Sequence, residues 1–227
     1  MWKVKSIIAL TPEAVIFDLD GTLFQTETLL ETVHARVFDT LREEGLYTQE
    51  TPPIASLLGS LGMLLSDIWK KIIPDGSEEA HERANVLMLQ YELEELEAGR
   101  GSLYPHVRET LEELRNRGIR LFIASNGLEE YVKGVPVAKE IAGLFEGTYS
   151  AGEFATLSKV DLVRKLLDTF GVKSAWMVGD RSSDVEAGKK NGLFVVGCDY
   201  AGFRREGELD GADAVIRSFR ELITLLP

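Results

Sequence analysis

The chain has 227 residues, of which 44% are hydrophobic and 27% charged. That balance belongs to a globular protein able to close a core without disulfide or metal staples. Its 37 acidic and 25 basic side chains leave a formal net charge of −12. The Lys/Arg field that nucleic-acid or anionic-membrane binding requires is therefore missing, and neither partner is expected.

The chain opens with two lysines and a short apolar run over residues 1–10, but Thr11-Pro12-Glu13 cuts the run off. It is too short for a secretory leader, and no stretch approaches the ~20 apolar residues of a bilayer span. The lone Cys198 cannot form an intrachain disulfide, which fits a reducing cytoplasm, the expected location. It follows an apolar run with no histidine beside it, so it is not read as a nucleophile.

A short apolar run, Ala14 to Phe17, ends on Asp18 and reads as the first strand. Residues 27–99 show no strand pattern. Leu29, Leu30, Val33 and Val37 have helical spacing, as do Leu61, Leu64, Leu65 and Ile68, and residues 88–96 form a further helical run. The acids Glu78, Glu79, Glu82, Glu92, Glu94, Glu95 and Glu97 read as a solvated helix face, and Thr51-Pro52-Pro53 and Pro74-Asp75-Gly76 as turns. Val107, Leu111 and Leu114 predict a helix stopped by Gly118, followed by a buried strand over 119–124. Val160, Val163, Leu166, Leu167 and Phe170 predict another, stopped by Gly171, then a strand over 175–178. A short helix over 184–191, strands over 193–196 and 214–216, and a last helix over 218–226 capped by Ser218 complete the pattern. Short buried strands alternating with helices predict an α/β fold, a Rossmann-like parallel sheet with an inserted all-helical segment.

In such sheets ligands sit beyond the carboxyl ends of the strands. The first strand ends at Asp18-Leu19-Asp20-Gly21-Thr22. A second ends at Ser125-Asn126-Gly127, and a third at Gly179-Asp180-Arg181-Ser182-Ser183-Asp184. Lys159 opens the helix before the third. Clustered carboxylates repel unless a cation neutralises them, and a hard divalent ion such as Mg²⁺ suits oxygen ligands. Lys159, the Ser125 hydroxyl and the Asn126 N–H can receive phosphoryl oxygens. Phosphoryl transfer depends mainly on such positioning and charge neutralisation. A calcium loop is the weaker reading, because position twelve from Asp18 is Leu29 rather than a glutamate.

These four segments resemble the four motifs of the haloacid dehalogenase-like hydrolase superfamily, in its helical-cap branch with phosphoglycolate phosphatases and nucleotidases. The resemblance implies a catalytic core over 1–26 and 100–227 and a cap over 27–99. It implies that Asp18 is the nucleophile of an aspartyl-phosphate mechanism and a metal ligand, and that Asp20 is the general acid and base, with its carbonyl on the metal. Ser125, Asn126 and Lys159 would hold the phosphoryl group, and Asp180 and Asp184 would serve Mg²⁺. An acid at position 20 suits an alkoxide leaving group, which needs a proton, and not a halide. The expected activity is hydrolysis of a small phosphorylated metabolite by a monomer or homodimer. A phosphomutase or an inactive binding protein on the same fold are the rivals. Lys159 is followed by Val160, where many cap-bearing members carry proline. Arg36, Arg42, Lys70, Lys71, Arg83 and Trp69 are candidate cap contacts, although Trp69 also suits a core. His34, His81 and His106 are read as structural.

Overall fold

The computed structural model describes residues 11–63, 65–203 and 205–227. Residues 1–10, which carry the leader question, and Leu64 of the second helical stripe lie outside them. Strand β1 (Ala14–Phe17) leads through a tight turn into the two-residue β2 (Phe24–Gln25). Four helices follow: α1 (Glu27–Glu43), α2 (Ile54–Leu58), α3 (Leu65–Ile72) and α4 (Glu78–Glu97). β3 (Ser102–Leu103) then pairs antiparallel with β2 and closes the base of this helical segment. The remainder alternates through α5 (Val107–Asn116), β4 (Arg120–Ser125), α6 (Glu129–Ala138), β5 (Gly147–Ser150), α7 (Ala151–Phe154) and α8 (Lys159–Phe170). It ends with β6 (Ala175–Gly179), α9 (Ser182–Lys190), β7 (Phe194–Cys198), β8 (Ala214–Ile216) and a 3-10 helix, Phe219–Leu225.

The main sheet has six strands in the order β5-β4-β1-β6-β7-β8, and every pairing is parallel. The chain leaves β1 for β4 and β5, then crosses back to β6 on the other side of β1. Period-two alternation divides β1 between two cores. Val15 and Phe17 join the larger cluster, with α1, α4 and the 3-10 helix. Ala14 and Ile16 join the smaller one, under α8 and α9. No described helix is long and apolar enough to cross a membrane.

Several elements differ from the sequence reading. The last helix is 3-10, and Ser218 stands at its start without a side-chain cap bond. Phe219, Leu222 and Leu225 explain the winding: a three-residue spacing puts all three on one face of a 3-10 turn, against the core. The second helical stripe is broken by Gly62 at φ +90°, so Leu61 sits in a turn before α3. β5 and α6 had no clear signal. β5 is a polar edge strand, Gly-Thr-Tyr-Ser, and α6 contains Gly134 and Pro136. The acidic run on α4 is not one solvated face, because Glu92 and Glu95 are buried.

Trp69 is fully buried and meets Phe38 edge-on at 6.1 Å, so it belongs to the core of the helical segment. His34 is buried beside the same Phe38. Trp69→Ala is expected to lower unfolding stability by about 3–5 kcal/mol, the usual cost of emptying a buried tryptophan site. Urea denaturation measures it, and a loss under about 1 kcal/mol would remove Trp69 from the core.

Candidate active site

Parallel register brings the three predicted strand ends together. Phe17 lies level with Ile123 of β4 and Val178 of β6. Asp18 therefore emerges beside Ser125 and Asp180, and its N–H donates to the Val178 carbonyl at 2.9 Å. The chain then folds back sharply. The Leu19 carbonyl accepts from the N–H groups of Leu23 and Phe24, and Gly21 adopts φ +76°. Gly21 is required twice over. Its backbone conformation disfavours a side chain, and a Cβ there would lie 2.5 Å from Asp180 Oδ2.

Asp18, Asp180 and Asp184 are buried, and each offers a carboxylate oxygen within 4.8 Å of the others. Lys159, at the start of α8, reaches Asp18 Oδ1 at 2.7 Å and Asp184 Oδ1 at 2.5 Å. Burial by itself would lower the lysine pKa, but Asp18 and Asp184 outweigh it and hold the ammonium above its usual range. Asp184 Oδ2 also accepts the Arg181 N–H at 2.9 Å, which fixes it at the first turn of α9. Asp180 Oδ1 accepts from Thr22 Oγ1 at 3.2 Å, whereas Oδ2 is buried without a hydrogen bond. Burial, then the charge of Asp18, raises the pKa of both Asp180 and Asp184. Asp180 Oδ2 lies 3.4 Å from Arg181 Nε, and three buried carboxylates of this kind, with the bare Gly21 beside Asp180, fit a hard divalent cation.

Asp20 stands apart from this trio. Its Oδ1 accepts from Thr26 Oγ1 at 2.6 Å and Tyr131 Oη at 2.7 Å, and the residue lines a cavity shared with Asp18. Burial, with the charge of Asp18, pushes its pKa up to about 6. Ser125 lies at the same cavity, and its Oγ accepts the Gly127 N–H at 3.3 Å. Asn126 does something the sequence did not suggest: its side-chain amide donates to the Gly62 carbonyl at 2.7 Å. Arg181 likewise donates to the Leu58 carbonyl at 2.8 Å. Two residues from the strand ends therefore hold the turn that follows α2. Thr26, Tyr131 and Arg181 escaped the sequence reading because their roles come from tertiary partners, not from a local pattern.

The helical segment closes the cavity, which measures about 50 Å³. Its contribution is Leu61, Gly62, Met63, Ile68, Met88 and Glu92. None of the candidate cap contacts is among the lining residues. Arg36 pairs with Glu94 and Glu95, Arg42 with Asp39, and Arg83 with Glu44. Lys71 donates to the Met63 sulfur from the outside, and Lys70 is exposed.

A family model for haloacid dehalogenase-like hydrolases matches residues 12–192. The chain belongs to the haloacid dehalogenase-like hydrolase family. Among its relatives in this family, a phosphoglycolate phosphatase of Rhodospirillum rubrum is 31% identical, over 93% of this chain and 89% of the relative. A pyrophosphatase PpaX of Oceanobacillus iheyensis is 29% identical over 78% of each chain. The fold is that of a haloacid dehalogenase-like hydrolase of Streptococcus pneumoniae, with a TM-score of 0.76 and 19% identity over 94% of this chain and 98% of that one.

The crowded acids have a measurable consequence. In the metal-free protein the folded-state pKa values of Asp20, Asp180 and Asp184 lie above the ordinary 3.8. The native state therefore binds protons more tightly than the unfolded chain. That contribution is complete below the unfolded value and is lost as pH rises through about 6, where Asp20 and Asp184 titrate. A divalent cation binds the ionised acids of the native state and reverses the trend. Thermal melting should show a larger Mg²⁺-induced rise in Tm near pH 7.5 than near pH 5. An equal rise at both would mean that the carboxylate trio does not hold the ion.

Proposed function

We propose that this phosphatase hydrolyses a small phosphomonoester in two displacements at Asp18. The observation that carries the proposal is the division of labour among the buried carboxylates. Asp18 is gripped by Lys159, while Asp20 is held away from it by Thr26 and Tyr131 and has a pKa raised to about 6, nearer to the pH at which it must both give and take a proton.

In the first displacement an Asp18 oxygen attacks phosphorus, the ester P–O bond breaks, and Asp20 gives its proton to the leaving alkoxide. In the second, water attacks the phosphorus of the aspartyl-phosphate and Asp20 takes its proton. The bond to Asp18 then breaks, releasing inorganic phosphate. Lys159 and the Ser125 hydroxyl, with the Asn126 backbone N–H, receive the phosphoryl oxygens, where preorganised charge lowers the barrier most. Asp18, Asp180 and Asp184, with the Asp20 carbonyl, would hold Mg²⁺, which supplies charge neutralisation for the phosphoryl group. Residues 27–99 act as the cap. Their turn, tied to Asn126 and Arg181, excludes bulk water while the ester is cleaved. A cytoplasmic setting suits a small phosphorylated metabolite as substrate.

Release of p-nitrophenol from its phosphate ester tests this reading. Asp18→Asn is expected to abolish turnover while leaving the circular dichroism spectrum and melting cooperativity intact. If turnover survives, Asp18 is not the nucleophile. Asp20→Asn should lower kcat by about 10²–10⁴, the range for losing an acid–base group. EDTA should silence the enzyme and Mg²⁺ restore it; indifference to chelation would eliminate the metal-assisted reading.

A further inference from the structure

The cavity has two ends of opposite character. At the sheet end stand Asp18, Asp20 and Ser125, with Lys159 behind them. At the cap end are the apolar side chains of Leu61, Met63, Ile68 and Met88, and among these a single acid, Glu92. Glu92 projects from α4 and is only 6% exposed. Burial, and then the charge of Asp20, raises its pKa well above the ordinary glutamate value. No hydrogen bond or ion pair satisfies it among the described residues.

Its neighbour one turn along makes the comparison. Glu95 is equally buried but receives two guanidinium groups, from Arg36 and Arg100. A buried carboxyl is tolerated when it is paired and costly when it is not. The fold thus supplies two cations to Glu95 and none to Glu92, which faces the space where a substrate's leaving group must lie. The cavity lining contains no lysine or arginine. Lys159 stands against Asp18 and Asp184 at the sheet end, and Arg181 faces Asp180, Glu208 and the Leu58 carbonyl, so neither is among the residues that line the cavity beside Glu92.

We propose that Glu92 is a specificity-determining residue that binds an amine or hydroxyl donor on the leaving group. The preferred substrate is accordingly the phosphate ester of a small alcohol that carries such a donor and no second anion. This rests on the phosphatase reading above and adds the substrate class to it. A leaving group with a carboxylate, as in phosphoglycolate, or a second phosphate, as in pyrophosphate, would set its charge among four apolar side chains, with no cation in the lining to receive it. An ammonium group would instead neutralise Glu92, and a hydroxyl would satisfy it. The cavity is small, about 50 Å³, and with the helical segment in this position it favours a compact leaving alcohol.

The test compares substrates of similar size on one preparation: ethanolamine phosphate, glycerol 2-phosphate and phosphoglycolate, with p-nitrophenyl phosphate run alongside. The wild type should favour ethanolamine phosphate or glycerol 2-phosphate over phosphoglycolate by at least tenfold in kcat/KM. Glu92→Gln should shrink the ethanolamine-to-phosphoglycolate ratio at least tenfold, mainly through KM for the amine. Glu92→Lys should turn the preference toward phosphoglycolate. Because each ratio is taken on a single preparation, a variant that folds incompletely lowers both rates and leaves the ratio intact. A wild type that prefers phosphoglycolate, or a ratio unmoved in both variants, would overturn the proposal. If the wild type with Mg²⁺ cleaves none of the four esters, the phosphatase reading has failed, an outcome distinct from a wrong substrate class.

Discussion

The structure turns on the Lys159 ammonium, wedged between the carboxylates of Asp18 and Asp184. Parallel pairing of β1 with β4 and β6 brings acids from separate strand ends into one buried region, where their mutual repulsion is poorly screened. One lysine cannot neutralise them all. Burial, and then the charge of Asp18, raises the pKa values of Asp180 and Asp184, and a further positive charge among the three acids would relieve both. Other features follow from keeping the acids close. Gly21 has no side chain because Asp180 occupies its space, and Gly179 has none because the Asp184 carboxylate does. Strand ends that would otherwise be ordinary turns thereby accept only glycine at these two positions.

Much of this was legible in the sequence for a physical reason. A strand buried on both faces needs an uninterrupted apolar run, and the chemistry of a parallel sheet lies where the run stops. The runs ending at Asp18, Ser125 and Gly179 met both conditions. Gly171, which ends α8 at φ +64°, was a local signal of the same kind. β5 lacked any such signal because an edge strand need not be apolar, and α6 lacked one because Gly134 and Pro136 disguise a helix that tertiary packing sustains.

The acidic run on α4 was misread for a different reason. Seven glutamates in twenty residues look solvated if only neighbours in sequence are considered. Glu95 is nevertheless buried, because Arg36 comes to it from 59 residues away. A sequence pattern registers charge but not the distant partner that permits burial. The same blindness hid Tyr131, which reaches Asp20 across 111 residues. The clustered acids, Ser125 and Lys159 fell in recognisable positions. Residues that position those residues, or close the cavity around them, did not.

This asymmetry bears on how such a fold can change its substrate while keeping its chemistry. The sheet end is tightly determined: Asp18, Asp180 and Asp184 are buried and held by neighbours, and the bare Gly21 and Gly179 leave the space that Asp180 and Asp184 occupy. The cap end is built from flexible methionines and a leucine turn tied down by two hydrogen bonds to backbone carbonyls, Asn126 to Gly62 and Arg181 to Leu58. Those bonds ask nothing of the side chains around them. A substitution among Leu61, Met63 or Met88 can therefore alter the shape offered to the leaving group without disturbing Asp18. Glu92 differs from these three, because a buried carboxyl left without a partner in an apolar wall asks for a hydrogen-bonding group, a demand that shape alone does not make.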